Sequence, residues 1–208
     1  MIRDLPKMFA SMESGVERIT KILASLQGFS HLGQSERKTV DLNAELDNIC
    51  ELIQGRLSSQ LYRPDIVITR HYQTLPPVDC YPRQLNQVFL NLLNNAIDAL
   101  EAKFDQPLES ETEQKPLLSI YTKVYPEGWI TVQIQDNGQG IPPAIQPRIF
   151  DPFFTTKEVG KGTGLGLSTS YQVVVEQHGG AITCNSEPGE GTMFAVEIPC
   201  RLGRFSST

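Results

Sequence analysis

The chain lacks the features that would carry it into a membrane, cross-link it or bind it to nucleic acid. No apolar run among its 208 residues approaches the roughly 18 that a membrane-spanning helix needs. The opening MIRDLPKMFASMES has no apolar signal-peptide core. Its four cysteines, Cys50, Cys80, Cys184 and Cys200, are scattered without a CxxC pair. That pattern points to free thiols in a reducing compartment and away from a disulfide framework or a zinc site. Positive charge is short: 18 Lys and Arg against 24 Asp and Glu leave a net charge of −6. Proteins that live on phosphate backbones are usually basic, so no nucleic acid partner is expected. A cytoplasmic setting is the expectation, with any membrane anchor carried elsewhere in a longer parent protein. Histidine is also scarce, with only His31, His71 and His178.

What is present divides near residue 60. Leu5, Met8, Phe9, Met12, Val16, Ile19, Ile22, Leu23, Leu26 and Phe29 recur at steps of three and four, the stripe of one long amphipathic helix. The polar SHLGQSERKT ends it, and a second helix is predicted from about Leu42 to about Leu57 with Asp41 as N-cap. The first stripe needs a partner, either the rest of the chain or a second copy in a homodimer through residues 5–29. Beyond residue 60, DIVITRHY alternates as a strand does, and YPRQLNQVFLNLLNNAIDALEAKF is the strongest helix. LLSIYTKVYP and WITVQIQD form a hairpin across EG. LGLSTSYQVVVEQH reads as a helix stopped by Gly179 and Gly180, with His178 at a C-terminus where the dipole favours positive charge. AITCNSE and TMFAVEIP make a last hairpin across PGEG. The fold expected is an α/β sandwich: a mixed, mainly antiparallel sheet with helices on one face, preceded by a long N-terminal helix.

Four short stretches stand out. In NLLNN, Asn91 and Asn95 lie four residues apart and project from one helix face. Asparagine is a poor helix former, whereas a neutral amide oxygen suits Mg2+ held beside phosphates. DNGQGI, at the end of a strand, sets Asp136 before Gly138 and Gly140. That carboxylate can accept a hydrogen bond from an exocyclic amine while a flat base lies over bare backbone. GKGTGLGL, residues 160–167, opens a helix with backbone N–H groups that an anion can approach. EPGEGT alone is a hairpin turn.

Together, in this order and spacing, they resemble the ATP-binding catalytic domain of sensor histidine kinases, in the superfamily shared with gyrase, the heat-shock chaperone of the same fold and MutL. NLLNNAIDA (91–99) is similar to the N box and DNGQGI (136–141) to the G1 box. FDPFFTTK (150–157) is similar to the F box, GTGLGL (162–167) to the G2 box, and GEGT (189–192) to the last glycine motif. The resemblance covers about residues 80 to 200. It implies an ATP-binding domain over 61–202, a helical dimerisation segment and linker over 1–60, and a tail at 203–208. It also implies that Asp136 receives the adenine amine, that Asn95 holds Mg2+ against the phosphates of ATP or ADP, and that residues 138–164 form a lid. Gly164, Leu165 and Gly166 would lie against the phosphates and Thr192 near the adenine. The wider nucleotide-binding set is Asn91, Asp98, Gly138, Gly140, Ile141, Phe153, Gly162, Thr163 and Leu167. Lys157 and Lys161 are candidates for phosphate charge from their position alone.

Two departures shape the functional expectation. The ATP-hydrolysing members carry a glutamate four residues before the metal-binding asparagine; Asn91 stands there, and an amide cannot activate water. Slow hydrolysis and transfer to another acceptor are expected. The family's acceptor motif (His, acid, any residue, Arg or Asn, Thr, Pro) surrounds none of the three histidines, so the acceptor hairpin is expected from a segment not contained here or from another kinase. The resemblance then implies an ATP-dependent protein-histidine kinase module working with a response regulator receiver domain. A non-catalytic ATP or ADP sensor and a Ser/Thr kinase of the same fold are the alternatives.

Overall fold

A computed structural model describes residues 36–58, 64–104, 114–125, 127–158 and 162–201. The Leu5–Phe29 stripe, His31, Lys161 and the tail lie outside them. The elements in order are β1 (Lys38–Val40), α1 (Leu42–Leu52), α2 (Gln54–Leu57), β2 (Val67–Tyr72), β3 (Val78–Cys80), α3 (Pro82–Phe104), β4 (Leu117–Tyr125) and β5 (Trp129–Asp136). After a 3-10 turn at Gln146–Arg148 come α4 (Gly166–Tyr171), a π-helical continuation at Gln172–Gln177, β6 (Ala181–Glu187) and β7 (Gly191–Pro199). Five strands form one sheet in the order β2-β4-β5-β7-β6. β2 runs parallel to β4 and the other pairs are antiparallel. This is the mixed, mainly antiparallel sheet expected.

Helix α3 is the centre of the core. Leu85, Val88, Phe89, Leu92, Leu93, Ala96, Ile97, Leu100 and Phe104 are all buried, the stripe its sequence displays. Each fully buried Leu or Phe of this kind stabilises the fold by about 1.5–3 kcal/mol. The helix packs on one face of β4, β5 and β7, against Leu118, Ile120, Ile130, Val132, Ile134, Phe194, Val196 and Ile198. Alternation along β5 carries Ile130, Val132, Ile134 and then Asp136 onto this same face. The strand therefore ends by pointing a carboxylate toward the helices.

The structure corrects three expectations. The boundary near residue 60 does not separate two packed units: Leu42, Leu46, Ile49, Cys50 and Ile53 belong to the same core as α3. β1 pairs with β3 in a two-stranded sheet, tied by the Arg37 guanidinium on the Asp79 carboxylate at 2.7 Å. The helix predicted over 42–57 is interrupted at Ile53, although Asp41 caps it as expected and accepts from the N–H groups of Asn43 and Ala44. Third, His178 is no exposed cation. It is 1% exposed. Its Nδ1–H donates to the Val173 carbonyl at 2.7 Å, and its Nε2 accepts from the Tyr81 N–H at 3.1 Å. Both nitrogens are committed in the neutral form, and burial lowers the pKa. The widened π-helical turn brings this ring back over α3, where it also meets Tyr81 edge-on.

A pH dependence follows. The unfolded imidazole titrates near 6.5 and the folded one lower, so the unfolded state binds more protons just below pH 6.5. The stability contributed by neutral His178 is complete above that value and is lost as pH falls through the folded pKa, at up to about 1.4 kcal/mol per pH unit. Denaturant unfolding of the wild type and His178→Gln between pH 7.5 and 5 should show a steeper decline in the wild type. Parallel curves would mean that folding leaves the titration of His178 unshifted. Among the described residues, no helix is long and apolar enough to cross a membrane.

Candidate nucleotide-binding site

Register builds one end of the site. Leu118 pairs with Asp136, Asp136 with Thr192, and Thr192 with Ser186. These four residues form a row across one end of the sheet, on the face that carries α3. Asp136 is 5% exposed, and its Oδ1 accepts the Gly138 N–H at 2.8 Å. Burial pushes its carboxyl up to about 6, against the N–H groups of Gly138 and Thr192 and the Lys103 ammonium, which pull it down. At neutral pH it is an ionised acceptor with unused lone pairs. A Cβ at Gly138 would stand 2.7 Å from Asp136 Oδ1 and 2.9 Å from Ala99 Cβ. The glycine keeps the carboxylate uncovered.

Ser186, which the sequence reading missed, holds this end together. Its Oγ donates to the Gly191 carbonyl at 2.9 Å and accepts the Ile141 N–H at 2.8 Å. Its one proton is thereby used, so the Thr192 hydroxyl, at 2.9 Å, donates to it. Gln146 Nε2 donates to the carbonyls of Ile141 and Ser186, each at 2.8 Å. Gly140 takes a φ of +72° within this turn. Cys184 lies one row further in, opposite Phe194, and its thiol is pushed up to about 11 by burial and by Asp136.

The other end is built on α3. Asn91 Nδ2 donates to the Gly166 carbonyl at 3.1 Å, while its Oδ1 accepts from Gln87 at 2.9 Å. The Asn91 amide thus fastens α3 to the start of α4. Asn95, one turn on, accepts from Lys157 Nζ at 3.5 Å. The same ammonium pairs with Asp98. The other Asp98 oxygen accepts from Arg56 at 2.7 Å, and Arg56 also reaches Asn94 at 2.8 Å and Glu101 at 2.9 Å. Asp98 therefore joins α2 to the segment carrying Lys157. These side chains are about one-third exposed, where such pairs add little stability. Their weight lies in geometry.

The glycine-rich segment folds back on the FDPFFTTK stretch. Phe153 N–H donates to the Gly164 carbonyl at 2.8 Å; Phe153 and Gly164 both have φ of +66°. Phe153 is 73% exposed. Gly162 abuts Thr155 and Lys157, and Thr163 Oγ1 accepts the Leu165 N–H at 3.4 Å. Leu165 is buried, and Leu167 packs against the core. The Gly166 position would leave even a Cβ 3.6 Å from Asn91. The structure thus gathers Asn91, Asn95, Asp98 and Lys157 at one end and Asp136, Gly138, Gly140, Ile141 and Thr192 at the other.

Comparison with known proteins shows the family. Residues 80–202 match the family described as histidine kinase-, DNA gyrase B-, and HSP90-like ATPase; the chain belongs to that family. It is 33% identical over 192 residues to the sensor kinase CckA of Brucella abortus, covering 91% of this chain and 20% of that protein. It is 31% identical over 191 residues to the sensory histidine kinase/phosphatase NtrB of Rhizobium meliloti, covering 90% and 48%. The chain thus spans about a fifth and about half of the length of these two relatives. Among solved structures it is similar to the nucleotide-free catalytic domain of histidine kinase ThkA, with TM-score 0.61 and 27% identity over 80% of this chain and 99% of that one. ThkA in complex with the response regulator protein TrrA shares the fold, with TM-score 0.69 and 23% identity over 94% and 51%.

Proposed function

We propose that this chain is the ATP-binding catalytic module of a protein-histidine kinase in a two-component system. The observation that carries the reading is the buried Asp136 carboxylate facing bare Gly138 backbone at the end of β5. An acceptor there, walled by Thr192, suits the exocyclic amine and edge of an adenine ring. The oxygen set at the other end fits a hard cation. Asn95 already accepts from an ammonium, and Asp98 adds a carboxylate beside it, as Mg2+ prefers. Bound there, Mg2+ would offset charge on the phosphates. Asn95 would ligate it, and Lys157 would turn from Asp98 toward the phosphate oxygens. Thr163, Gly164, Leu165 and Gly166 would offer backbone N–H groups to those oxygens; Lys161 would add a second cation.

Asn91 argues for transfer over hydrolysis. Its amide is held by Gly166 and Gln87 and has no basic oxygen to take a proton from water. The γ-phosphoryl group then passes to a histidine ring nitrogen on a dimerisation hairpin: the bond from the γ-phosphorus to the bridging oxygen breaks, a P–N bond forms, and ADP leaves. A response regulator receiver domain is the onward acceptor in this reading. Self-association through residues 5–29 belongs to it as well.

The test is incubation with γ-labelled ATP and a supplied histidine hairpin. The expected product is label on the hairpin that is lost in acid and kept in base. Acid-stable label would make the chain a Ser/Thr kinase. Intact nucleotide binding with no transfer would make it a sensor.

A further inference from the structure

The proposed site is bordered by two turns and helix α3, and Lys103 of that helix touches both turns. It stands on α3 twelve residues after Asn91 and four after Ala99. Its Nζ donates to the Asn137 carbonyl at 2.8 Å and to the Gly189 carbonyl at 2.7 Å. Those carbonyls belong to the turn after β5 and the turn between β6 and β7. The ring of contacts closes elsewhere: Gly189 N–H donates to Gln139 O at 2.8 Å, and Gln139 N–H to Ala99 O at 3.4 Å. The Phe104 ring lies 5.4 Å from the same ammonium.

We infer that Lys103 is a positioning residue for the adenine end of the site: its ammonium clamps the Asn137 and Gly189 turns together and so holds the DNGQGI turn against the β6–β7 hairpin, beside the paired Asp136 and Thr192. This rests on the nucleotide site proposed above. A lysine in a last helical turn is favoured by the dipole for structural reasons alone, so position is not sufficient. Two features give it a further role. Both its acceptors are main-chain oxygens of the turns that bracket Asp136, so losing the side chain removes a contact from both turns at once. Its charge also supports the ionised form of Asp136, the form that can accept from an amine. The other groups facing that carboxylate are the Gly138 and Thr192 N–H groups and the Cys184 thiol on β6.

The experiment is calorimetric titration of ADP between pH 5.5 and 8.5 into the wild type, Lys103→Met and Lys103→Arg. Lys103→Met should lose about tenfold in affinity at pH 8, the scale of charged hydrogen bonds. It should lose more at pH 6, because the pH at which binding fails moves upward. Lys103→Arg should restore most of both. Unchanged affinity, or a loss equal at every pH and not rescued by arginine, would overturn the proposal and leave Lys103 a structural residue. If Lys103→Met fails to fold, Lys103→Gln, which keeps a donor without charge, is read by the same midpoint. A wild type that binds no ADP at any pH overturns the nucleotide site itself, a result distinct from a variant that binds as well as the wild type.

Discussion

Asp136→Asn is expected to weaken ADP binding by about a hundredfold while leaving the fold at least as stable at pH 7. The binding loss comes from polarity. An amide that keeps its oxygen on Gly138 N–H presents –NH2 to the adenine amine, so a donor meets a donor, at about 1–3 kcal/mol or more. The stability side runs the other way. Burial raises the carboxyl from 3.8 to about 6. Between those values the folded state binds more protons than the unfolded one. Stability is therefore complete below pH 4 and is lost as pH rises through 6, on the order of 2–3 kcal/mol by pH 7. Asparagine avoids that cost, less whatever its unpaired –NH2 loses. Denaturant unfolding should show the wild type gaining on the variant as pH falls from 7 to 4, after the opposing His178 contribution, common to both, is subtracted. A variant that binds ADP normally would remove Asp136 from the site. A variant several kcal/mol less stable at pH 7 would make the carboxylate a structural anchor.

Gly140→Ala should be nearly as damaging to binding, by a different route. The φ of +72° already disfavours any Cβ, and that atom would stand 2.1 Å from the Glu187 carbonyl oxygen. Neither is a flexible side-chain end that could yield. Relief requires the DNGQGI turn to part from the β6–β7 hairpin, breaking the Gly189–Gln139 and Ile141–Ser186 bonds. The core under α3 is untouched, so the chain should still fold, with about 1–3 kcal/mol lost and ADP affinity down by about tenfold or more. Calorimetry and thermal unfolding measure the two parts. Wild-type affinity in Gly140→Ala would mean that the turn is free to move without consequence for the site.

The difference between what could and could not be read in the sequence follows contact range. The strand pattern of WITVQIQD put Asp136 at a strand end, and its alternation also carries Asp136 onto the core face; the i, i+4 spacing placed Asn91 and Asn95 on one side of α3. Lys103, eight residues beyond Asn95, is turned about 80° around the helix from it, so that spacing alone did not single it out. Ser186 was also accessible, since a hairpin closed by PGEG sets it opposite Thr192. Strands β1 and β3, three residues each, are too short for a period to register, and their pairing spans about forty positions. Arg56 meets Asp98 across 42 positions, a partnership no local pattern encodes. His178 was misjudged because a helix C-terminus predicts a charge, whereas the π-helical turn buries the ring and desolvation decides.

The central claim is that adenine nucleotide sits between the Asp136 turn and the start of α4. Titrating 15N-labelled chain with MgADP and following assigned amides tests it most directly. The account predicts saturable shifts at Gly138, Gly140, Thr192 and Gly166, with Asn95 side-chain signals responding only when Mg2+ is present. Shifts confined to other surfaces, or no saturable shift at Gly138 and Thr192, would contradict it.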